Sequence, residues 1–144
     1  MNLKIKKLSD KAVIPTYGSE YAAGADLYSC EGELTFEPGE TKLVHTGLAM
    51  EIPVGYVGLI YARSGIATKR GLAPANKVGV IDSDYRGEIM VALHNHSNES
   101  QTIAAGERIA QIVITPFLTV NYIESETLDE TDRGVGGFGS TGTK

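Results

Sequence analysis

The sequence has very little cysteine, with Cys30 as its single representative. One thiol excludes an internal disulfide and a metal site built from four thiolates. A lone cysteine is also typical of a protein kept in a reducing compartment. Stability must therefore come from packing, without covalent cross-links.

The sequence also lacks a long apolar run and an excess of positive charge. No uninterrupted apolar stretch approaches the roughly 20 residues of a membrane span, and residues 1–11 lack the apolar stretch of a signal peptide. We therefore expect a cytoplasmic protein without membrane contact. The net charge of −5 argues against stable nucleic-acid binding, because that affinity comes from many Lys and Arg contacts to phosphates. A small anionic ligand stays possible if positive groups cluster locally or a metal takes part.

Glycine, by contrast, is abundant, with 17 residues among 144. The apolar residues recur mostly with period two in short runs separated by Gly, Pro and Asn, which predicts β-strands. These runs lie at residues 3–7, 41–50, 56–61, 88–94, 108–115 and 118–123. Ser64–Arg70 is the only segment predicted to be helical, with Ser64 as a possible N-cap. The length fits one domain, so we predict a single-domain, all-β fold, either a sandwich or a closed barrel.

The alternation stops after Ile123. Residues 124–144 contain five glycines and one aromatic residue, and such a segment is usually a frayed terminus. Arg133 and Phe138 also suit a flap over an anionic ligand with a ring, because glycine lets backbone N–H groups approach phosphate and Phe offers a flat face to a base. We divide the chain into a core, residues 1–123, and a flexible, Gly-rich C-terminal arm, residues 124–144.

Four other segments carry polar residues that strands and turns alone do not require. Asp26 follows small residues and could be an ordinary turn aspartate. Arg63 and Ser64 open the predicted helix, where they could bind an anion or simply cap it. Residues 76–87 contain an apolar run followed by two carboxylates and a tyrosine. This pattern fits either a hairpin with a polar turn or a ligand-binding site. Gln111 lies within an apolar strand, either as a satisfied buried amide or as a ligand contact.

Taken in order, these five segments resemble the five motifs of the homotrimeric dUTP pyrophosphatase (dUTPase) family. They read AGADLYS at 23–29, RSGIA at 63–67, NKVGVIDSDYRGEI at 76–89, GERIAQ at 106–111 and RGVGGFGSTG at 133–142; we number them as the first to fifth motif. The resemblance implies a distorted, jelly-roll-like β-barrel with a mobile arm. It also implies an enzyme, a dUTP diphosphatase, that uses Mg²⁺ and hydrolyses dUTP to dUMP and pyrophosphate by attack of water on the α-phosphorus.

The resemblance assigns base, sugar and water recognition to the third motif. Asp82 would be the catalytic residue that orients and deprotonates the attacking water. Tyr85 would pack against deoxyribose and exclude the 2′-hydroxyl of UTP. Asn76, Gly79 and Ile81 would bind uracil, whose pattern of donors and acceptors differs from that of cytosine.

The first, second and fourth motifs are implied to bind the triphosphate. Arg63, Ser64, Gly65 and Gln111 would contact phosphate oxygens. Asp26 would lie near Mg²⁺, through bound water or by holding Arg63, because Mg²⁺ usually keeps several of its waters.

The fifth motif is implied to close over the substrate. Arg133 would neutralise the γ-phosphate, Phe138 would stack on uracil, and Gly139 would contact the substrate beside it. Family active sites combine the third motif, the phosphate motifs and the arm of different subunits, so the resemblance implies a homotrimer. Two alternatives remain open: a dCTP deaminase-like enzyme of the same fold, and a non-catalytic, regulatory nucleotide-binding protein.

Overall fold

A computed structural model describes residues 1–139, which form twelve short β-strands and one α-helix. The strands are β1 Lys4–Lys7, β2 Thr16–Tyr17, β3 Ala25–Tyr28, β4 Leu34–Phe36, β5 Thr41–His45, β6 Leu48–Glu51, β7 Tyr56–Tyr61, β8 Leu72–Pro74, β9 Gly79–Ile81, β10 Met90–Asn95, β11 Gln101–Ile103 and β12 Arg108–Pro116, and the helix is α1 Ser64–Arg70. The prediction of an all-β fold with one short helix is confirmed, and the helix has the predicted bounds.

The strands pair in an antiparallel manner within four sheets. The largest sheet has the order β2-β3-β12-β7-β9, a second has the order β5-β10-β8, and two pairs are β1-β6 and β4-β11. Strands β8 and β9, neighbours in sequence, belong to different sheets. The third motif therefore passes from one sheet to the other, as is consistent with a jelly-roll-like fold.

Period-two alternation determines which side chains enter the core. Along β10, Val91, Leu93 and Asn95 are buried while their neighbours are partly exposed. The core cluster also draws fully buried side chains from other elements, namely Leu27, Phe36, Val44, Leu48, Leu72, Ile89, Ile103 and Ile109. Complete burial of one such aliphatic or aromatic side chain contributes about 1.5–3 kcal/mol. The core therefore holds the sheets, and the motif loops lie at their edges.

Two predicted strands differ from the structure. The run at 41–50 is divided into β5 and β6 at Thr46–Gly47, where Gly47 adopts a φ of 67°, a conformation that favours glycine. The strand predicted at 118–123 is wrong: within residues 1–139 this segment forms no strand, and Leu118 and Tyr122 are about 90% exposed. Among residues 1–139, no strand lies beside this segment to pair with its backbone.

Candidate active site

Two clefts contain most of the predicted site residues. The arginine cleft, of about 220 Å³, unites the first, second and fourth motifs and is lined by Gly18, Ala22, Gly24, Asp26, Arg63, Ser64, Gly65, Arg108 and Gln111. The tyrosine cleft, also about 220 Å³, belongs to the third motif and strands β5 and β10 and is lined by Leu43, Val80, Ile81, Asp82, Tyr85, Glu88 and Met90. The two clefts share no lining residue.

Asp26 is the buried carboxylate of the arginine cleft, and it binds two guanidinium groups. Arg63 Nε donates to Asp26 Oδ1 at 2.7 Å, and Arg108 Nη1 donates to Oδ2 at 3.1 Å. Burial of a carboxylate requires such partners. Two cations around one anion leave the cleft with net positive charge, which suits an anionic ligand.

The same geometry limits how the cleft could hold a metal. Both oxygens of Asp26 accept hydrogen bonds from arginines, and within residues 1–139 no three His, Cys, Asp or Glu side chains converge on one point. An all-protein metal cage does not fit this donor set. An Mg²⁺ ion that keeps its waters and takes oxygens from a phosphorylated ligand does fit, with Asp26 as a contact through water.

The start of α1 borders the arginine cleft. Arg63 is the N-cap residue, with φ −89° and ψ 127°, and its side chain makes no capping hydrogen bond. The possible N-cap role of Ser64 is therefore wrong, because Ser64 is the first helical residue. The first N–H groups of a helix have no acceptor within the helix, and Ser64 and Gly65, at this helix start, both line the arginine cleft.

Gln111, in the fourth motif, contacts the residue before the second motif and a glycine of the first motif. Its Nε2 donates to the backbone oxygen of Ala62 at 2.8 Å, which fixes the end of β7 to β12. Its Oε1 lies so close to Gly24 that a Cβ there would overlap it. Gln111 is thus partly satisfied within the protein and also lines the cleft, and Gly24 is needed for this approach.

Tyr85 is the aromatic face of the tyrosine cleft. The Tyr85 N–H donates to the Asp82 oxygen at 3.2 Å, closing a turn, and Tyr85 Oη donates to the Glu88 oxygen at 2.9 Å. The ring lies against Gly87, where a Cβ would sit 2.6 Å from Cζ. Asp82, directly after β9, is exposed at the same cleft. The turn thus presents a ring and a carboxylate together.

Asn76 and Gly79 lie outside the lining of both clefts. Asn76 is exposed, and its backbone oxygen accepts a hydrogen bond from the Val78 N–H at 2.7 Å around Lys77, whose φ is 65°. Gly79 is buried, and a Cβ there would lie 3.2 Å from Ile60 Cβ. Packing against Ile60 is therefore one reason for glycine at position 79, in addition to the ligand contact expected from the sequence.

The arm residues stand apart from both clefts in the described chain. Arg133 Nε donates to the Gly136 oxygen at 2.8 Å, and Phe138 is fully exposed with a φ of 50°. Gly139 is also exposed. The last three residues of the fifth motif, 140–142, and the end of the arm lie outside the described residues. One chain by itself does not bring Arg133, Phe138 or Gly139 to the other motifs.

Sequence reasoning missed Arg108 and Glu88, which line these clefts, and His45, which bonds to Glu88. Arg108 is the second cation on Asp26, and its place inside the fourth motif was the available signal. Glu88, at the end of the third motif, binds His45 through its side chain. His45 lies on β5, far along the sequence, and nothing in the local pattern indicated that pairing.

A further cleft, of about 430 Å³, lies between β1 and β6 beside Arg86. It contains none of the predicted site residues. Within residues 1–139, no helix has the length and apolar content needed to cross a membrane.

Glu107, next to Arg108, joins the helix to the fourth motif. It accepts hydrogen bonds from Arg70 Nη1 and, at 2.8 Å, from the Ala104 N–H. Burial by itself would raise the pKa of Glu107, but these two hydrogen bonds and the charges of Arg70 and Arg63 outweigh it and hold the pKa below its usual value. A depressed carboxyl pKa stabilises the fold above the unfolded pKa, and this stabilisation is lost as pH falls through the folded pKa.

We expect Glu107→Gln to lower the free energy of unfolding at pH 7 by about 1–3 kcal/mol, the range for a hydrogen bond to a charged group. The deficit should shrink when urea unfolding is measured below about pH 4.5, near the unfolded pKa of Glu, because protons then bind the wild-type carboxylate in the unfolded chain before they bind it in the fold. Glu99→Gln, at an exposed position in the β10–β11 turn, is the matched control. A deficit equal at both pH values would contradict the charge-based explanation.

An antiparallel β fold with a cationic cleft and a second cleft formed by a ring and a carboxylate defines a protein suited to a small, phosphorylated, ring-bearing ligand. Comparison with known proteins narrows this class. The sequence model of the family described as dUTPase matches residues 10–142. The chain therefore belongs to the dUTPase family, as its five motifs predicted.

Individual relatives agree with this assignment. The chain is 56% identical over 142 residues to a deoxyuridine 5′-triphosphate nucleotidohydrolase of Nautilia profundicola, covering 99% of each protein. It is 53% identical over 136 residues to a protein of the same name from Desulfitobacterium hafniense, covering 92% of this chain and 90% of that one. Its fold is similar to that of a mutant dUTPase of Staphylococcus bacteriophage 80alpha with dUpNHpp, with a TM-score of 0.91, 30% identity and 99% coverage of both chains.

Proposed function

We propose that this chain hydrolyses dUTP to dUMP and pyrophosphate. The observation that carries the proposal is the arginine cleft, in which three of the five motifs of a dUTPase-family chain converge on Asp26, Arg63 and Gln111. Relatives named deoxyuridine 5′-triphosphate nucleotidohydrolase cover nearly the whole chain, and this supports the same substrate. The reaction is a displacement at the α-phosphorus: a water oxygen bonds to it, the bridging bond to the β-phosphate breaks, and pyrophosphate leaves.

The arginine cleft binds the triphosphate in this proposal. Arg63 carries the positive charge, held in place by the bond from its Nε to Asp26. Ser64 and Gly65 offer N–H groups and a hydroxyl that the helix itself does not use, and Gln111 contributes its remaining amide atoms. These groups are fixed before the ligand arrives, so they stabilise charge on the phosphates with little reorganisation.

The third motif recognises the nucleoside and activates water. Asp82 accepts the proton of the attacking water, and positioning supplies most of its effect because a free aspartate is a weak base at neutral pH. Tyr85 lies flat against deoxyribose, so that a 2′-hydroxyl is excluded by volume. Asn76 and the backbone at Gly79 and Ile81 pair with the uracil edge. Cytosine would leave those groups unpaired, which penalises it strongly.

Mg²⁺ is the cofactor in this proposal, and it neutralises part of the triphosphate charge when bound. Asp26 is its protein contact, through water, because both carboxylate oxygens already accept hydrogen bonds from arginines. Arg63 and Arg133 supply the rest of the positive charge.

The arm completes the site, with Arg133 on the γ-phosphate, Phe138 stacked on uracil and Gly139 beside it. We propose that residues 1–123 form the core and residues 124–144 a flexible arm. The separation of the two clefts and the exposure of Phe138 within one chain support an assembly in which three subunits share each site. We also propose a cytoplasmic location, in keeping with the free thiol of Cys30.

We expect pyrophosphate release from dUTP, with much slower release from dTTP, dCTP and UTP, because base and sugar are each recognised by groups fixed before the substrate binds. Product analysis over this panel with Mg²⁺, and again after chelation, is the decisive measurement. Orthophosphate in place of pyrophosphate would contradict the proposal. Ammonia from dCTP would indicate the deaminase-like alternative, and nucleotide binding without any product would indicate the regulatory one.

A further inference from the structure

The side chain of Glu88 bonds the third motif to the corner between β5 and β6. His45 Nδ1 donates to Glu88 Oε2 at 2.9 Å, and the Gly47 N–H donates to Glu88 Oε1 at 2.8 Å. Both carboxylate oxygens are thus used by a corner about 40 residues away in the sequence. The Glu88 side chain is 23% exposed, so these charge-assisted hydrogen bonds are only partly screened by water.

The backbone next to Glu88 is bonded to the same corner. The Ile89 N–H donates to the Leu48 oxygen at 2.8 Å, and Thr46 Oγ1 donates to the Ile89 oxygen at 2.6 Å. Ile89 is fully buried. The end of the third motif is therefore held by four hydrogen bonds to one corner, which we call the Glu88 clamp: residues 45–48 with Glu88 and Ile89.

Tyr85 is hydrogen-bonded to the Glu88 clamp. Tyr85 Oη donates to the backbone oxygen of Glu88 at 2.9 Å, and the ring rests on Gly87. Because the ring is 41% exposed, core packing alone does not determine where it lies. The position of the Glu88 backbone therefore sets the position of the ring in the tyrosine cleft.

We propose that Glu88 and His45 are positioning residues for Tyr85 and so determine how strictly the site excludes a ribose 2′-hydroxyl. The inference rests on the proposed function, in which Tyr85 discriminates the sugar. A steric filter depends on sub-ångström placement of the ring, because a methylene-sized gap changes discrimination by about 10- to 200-fold. Neither Glu88 nor His45 needs to touch the substrate for this role.

The charge around His45 adds a pH dependence. The hydrogen bond to Glu88 raises the pKa of His45, burial opposes it, and the charges of Glu88 and Glu31 raise it further. Glu31 Oε2 also accepts a hydrogen bond from the backbone N–H of His45 at 2.9 Å. Cys30 is a further titratable neighbour, and its pKa is raised by burial and by the same two glutamates. The clamp is therefore strongest below the unfolded His pKa of about 6.5 and weakens as pH rises through the folded pKa.

The first test compares kcat/KM for dUTP with kcat/KM for UTP. In Glu88→Ala, we expect the dUTP-to-UTP ratio to fall by about tenfold or more, on the scale of a small steric gap. Glu88→Gln keeps the shape of the side chain and one acceptor oxygen, so the dUTP-to-UTP ratio should fall less than in Glu88→Ala. Glu99→Ala, at an exposed position away from both clefts, should keep the wild-type ratio.

A double mutant separates positioning from general destabilisation. If Glu88 acts through the ring, then Glu88→Ala should leave the ratio unchanged in a Tyr85→Ala background, because there is no ring left to misplace. An equal loss in both backgrounds would overturn the proposal. If Glu88→Ala does not fold, the same cycle with His45→Leu decides the question.

The second test uses pH. Ionisation of the phosphates affects dUTP and UTP alike, so it cancels in the ratio. We expect the wild-type ratio to fall as pH rises above about 6.5, and His45→Asn, which keeps a donor near the Nδ1 position without titrating, to remove that slope. A wild-type ratio that is flat, or the same slope in His45→Asn, would overturn the role of His45. Wild-type protein that releases no pyrophosphate from dUTP would instead refute the proposed function itself.

Discussion

Asp82→Asn is expected to reduce kcat for dUTP by at least about 10²-fold, the lower end of a general-base contribution. Asn has nearly the same shape as Asp but cannot accept the proton of the attacking water. Asp82 is exposed at the mouth of the tyrosine cleft, so the substitution leaves no unpaired buried group and should not affect folding. Binding of a slowly hydrolysed dUTP analogue should stay close to wild type. Single-turnover kinetics and calorimetric titration measure the two quantities separately.

The same turn provides a matched control. Asp84 is a second exposed carboxylate, two residues further along, and does not line the tyrosine cleft. Asp84→Asn should therefore keep kcat within a small factor of wild type. If Asp82→Asn kept near-normal turnover while Asp84→Asn lost it, the roles of the two carboxylates would have to be exchanged. If both variants were active, neither would be the base.

Deletion of residues from Asp132 onward should abolish most catalysis while leaving the fold intact. The described part of the arm forms no strand or helix, and Val135 and Phe138 are fully exposed, so its removal takes little apolar surface out of the core. The melting temperature should therefore change little. Ordering the arm costs backbone entropy that contacts with the substrate must offset. We expect kcat/KM to fall by about 10²-fold or more, as for loss of a closing, positioning element.

Mixing two inactive variants tests whether the arm acts on another subunit. Asp82→Asn chains keep the arm, and truncated chains keep Asp82. If each site combines the third motif of one chain with the arm of another, random co-assembly restores about a quarter of the sites. If the arm closes on its own chain, the mixture stays inactive, and the shared-site proposal is wrong.

A spectroscopic probe follows the arm directly. The chain has no tryptophan, so Phe138→Trp introduces the only indole. Stacking on uracil should change its emission when a slowly hydrolysed dUTP analogue is added with Mg²⁺. If the emission did not change on addition of the analogue and the truncated protein kept full activity, the arm would be a frayed terminus without a role in catalysis.

Prediction from the sequence succeeded where the signal was local. Helix α1 was predicted with its observed bounds from the residues that follow Ser64, and in the structure it ends at Gly71, which has a φ of 66°. The strands at β7 and β12 were found because alternation on one buried face repeats every two residues. The segment at 118–123 has the same alternation but no strand beside it in the described part of the chain, so local pattern alone gave a wrong prediction.

The candidate site divides in the same way. The five motifs identify the family, and they name Asp26, Arg63, Gln111, Asp82 and Tyr85 as candidates, because each motif lies within a few consecutive residues. The contacts between motifs could not be predicted. Arg108 on Asp26 and His45 on Glu88 depend on which strands become neighbours, and a local pattern carries no information about that.

The sequence by itself determined the β-rich fold, the position of the one helix and the set of residues available for chemistry, since propensity, period and motif are local properties of the chain. Only the tertiary structure decided that Asp26 would be neutralised by two arginines, that Gln111 would bond to Ala62 and lie against Gly24, and that Glu88 would hold the Tyr85 turn to the β5–β6 corner. Those choices follow from pairing between strands that are distant in sequence, where residues 37 to 82 positions apart meet.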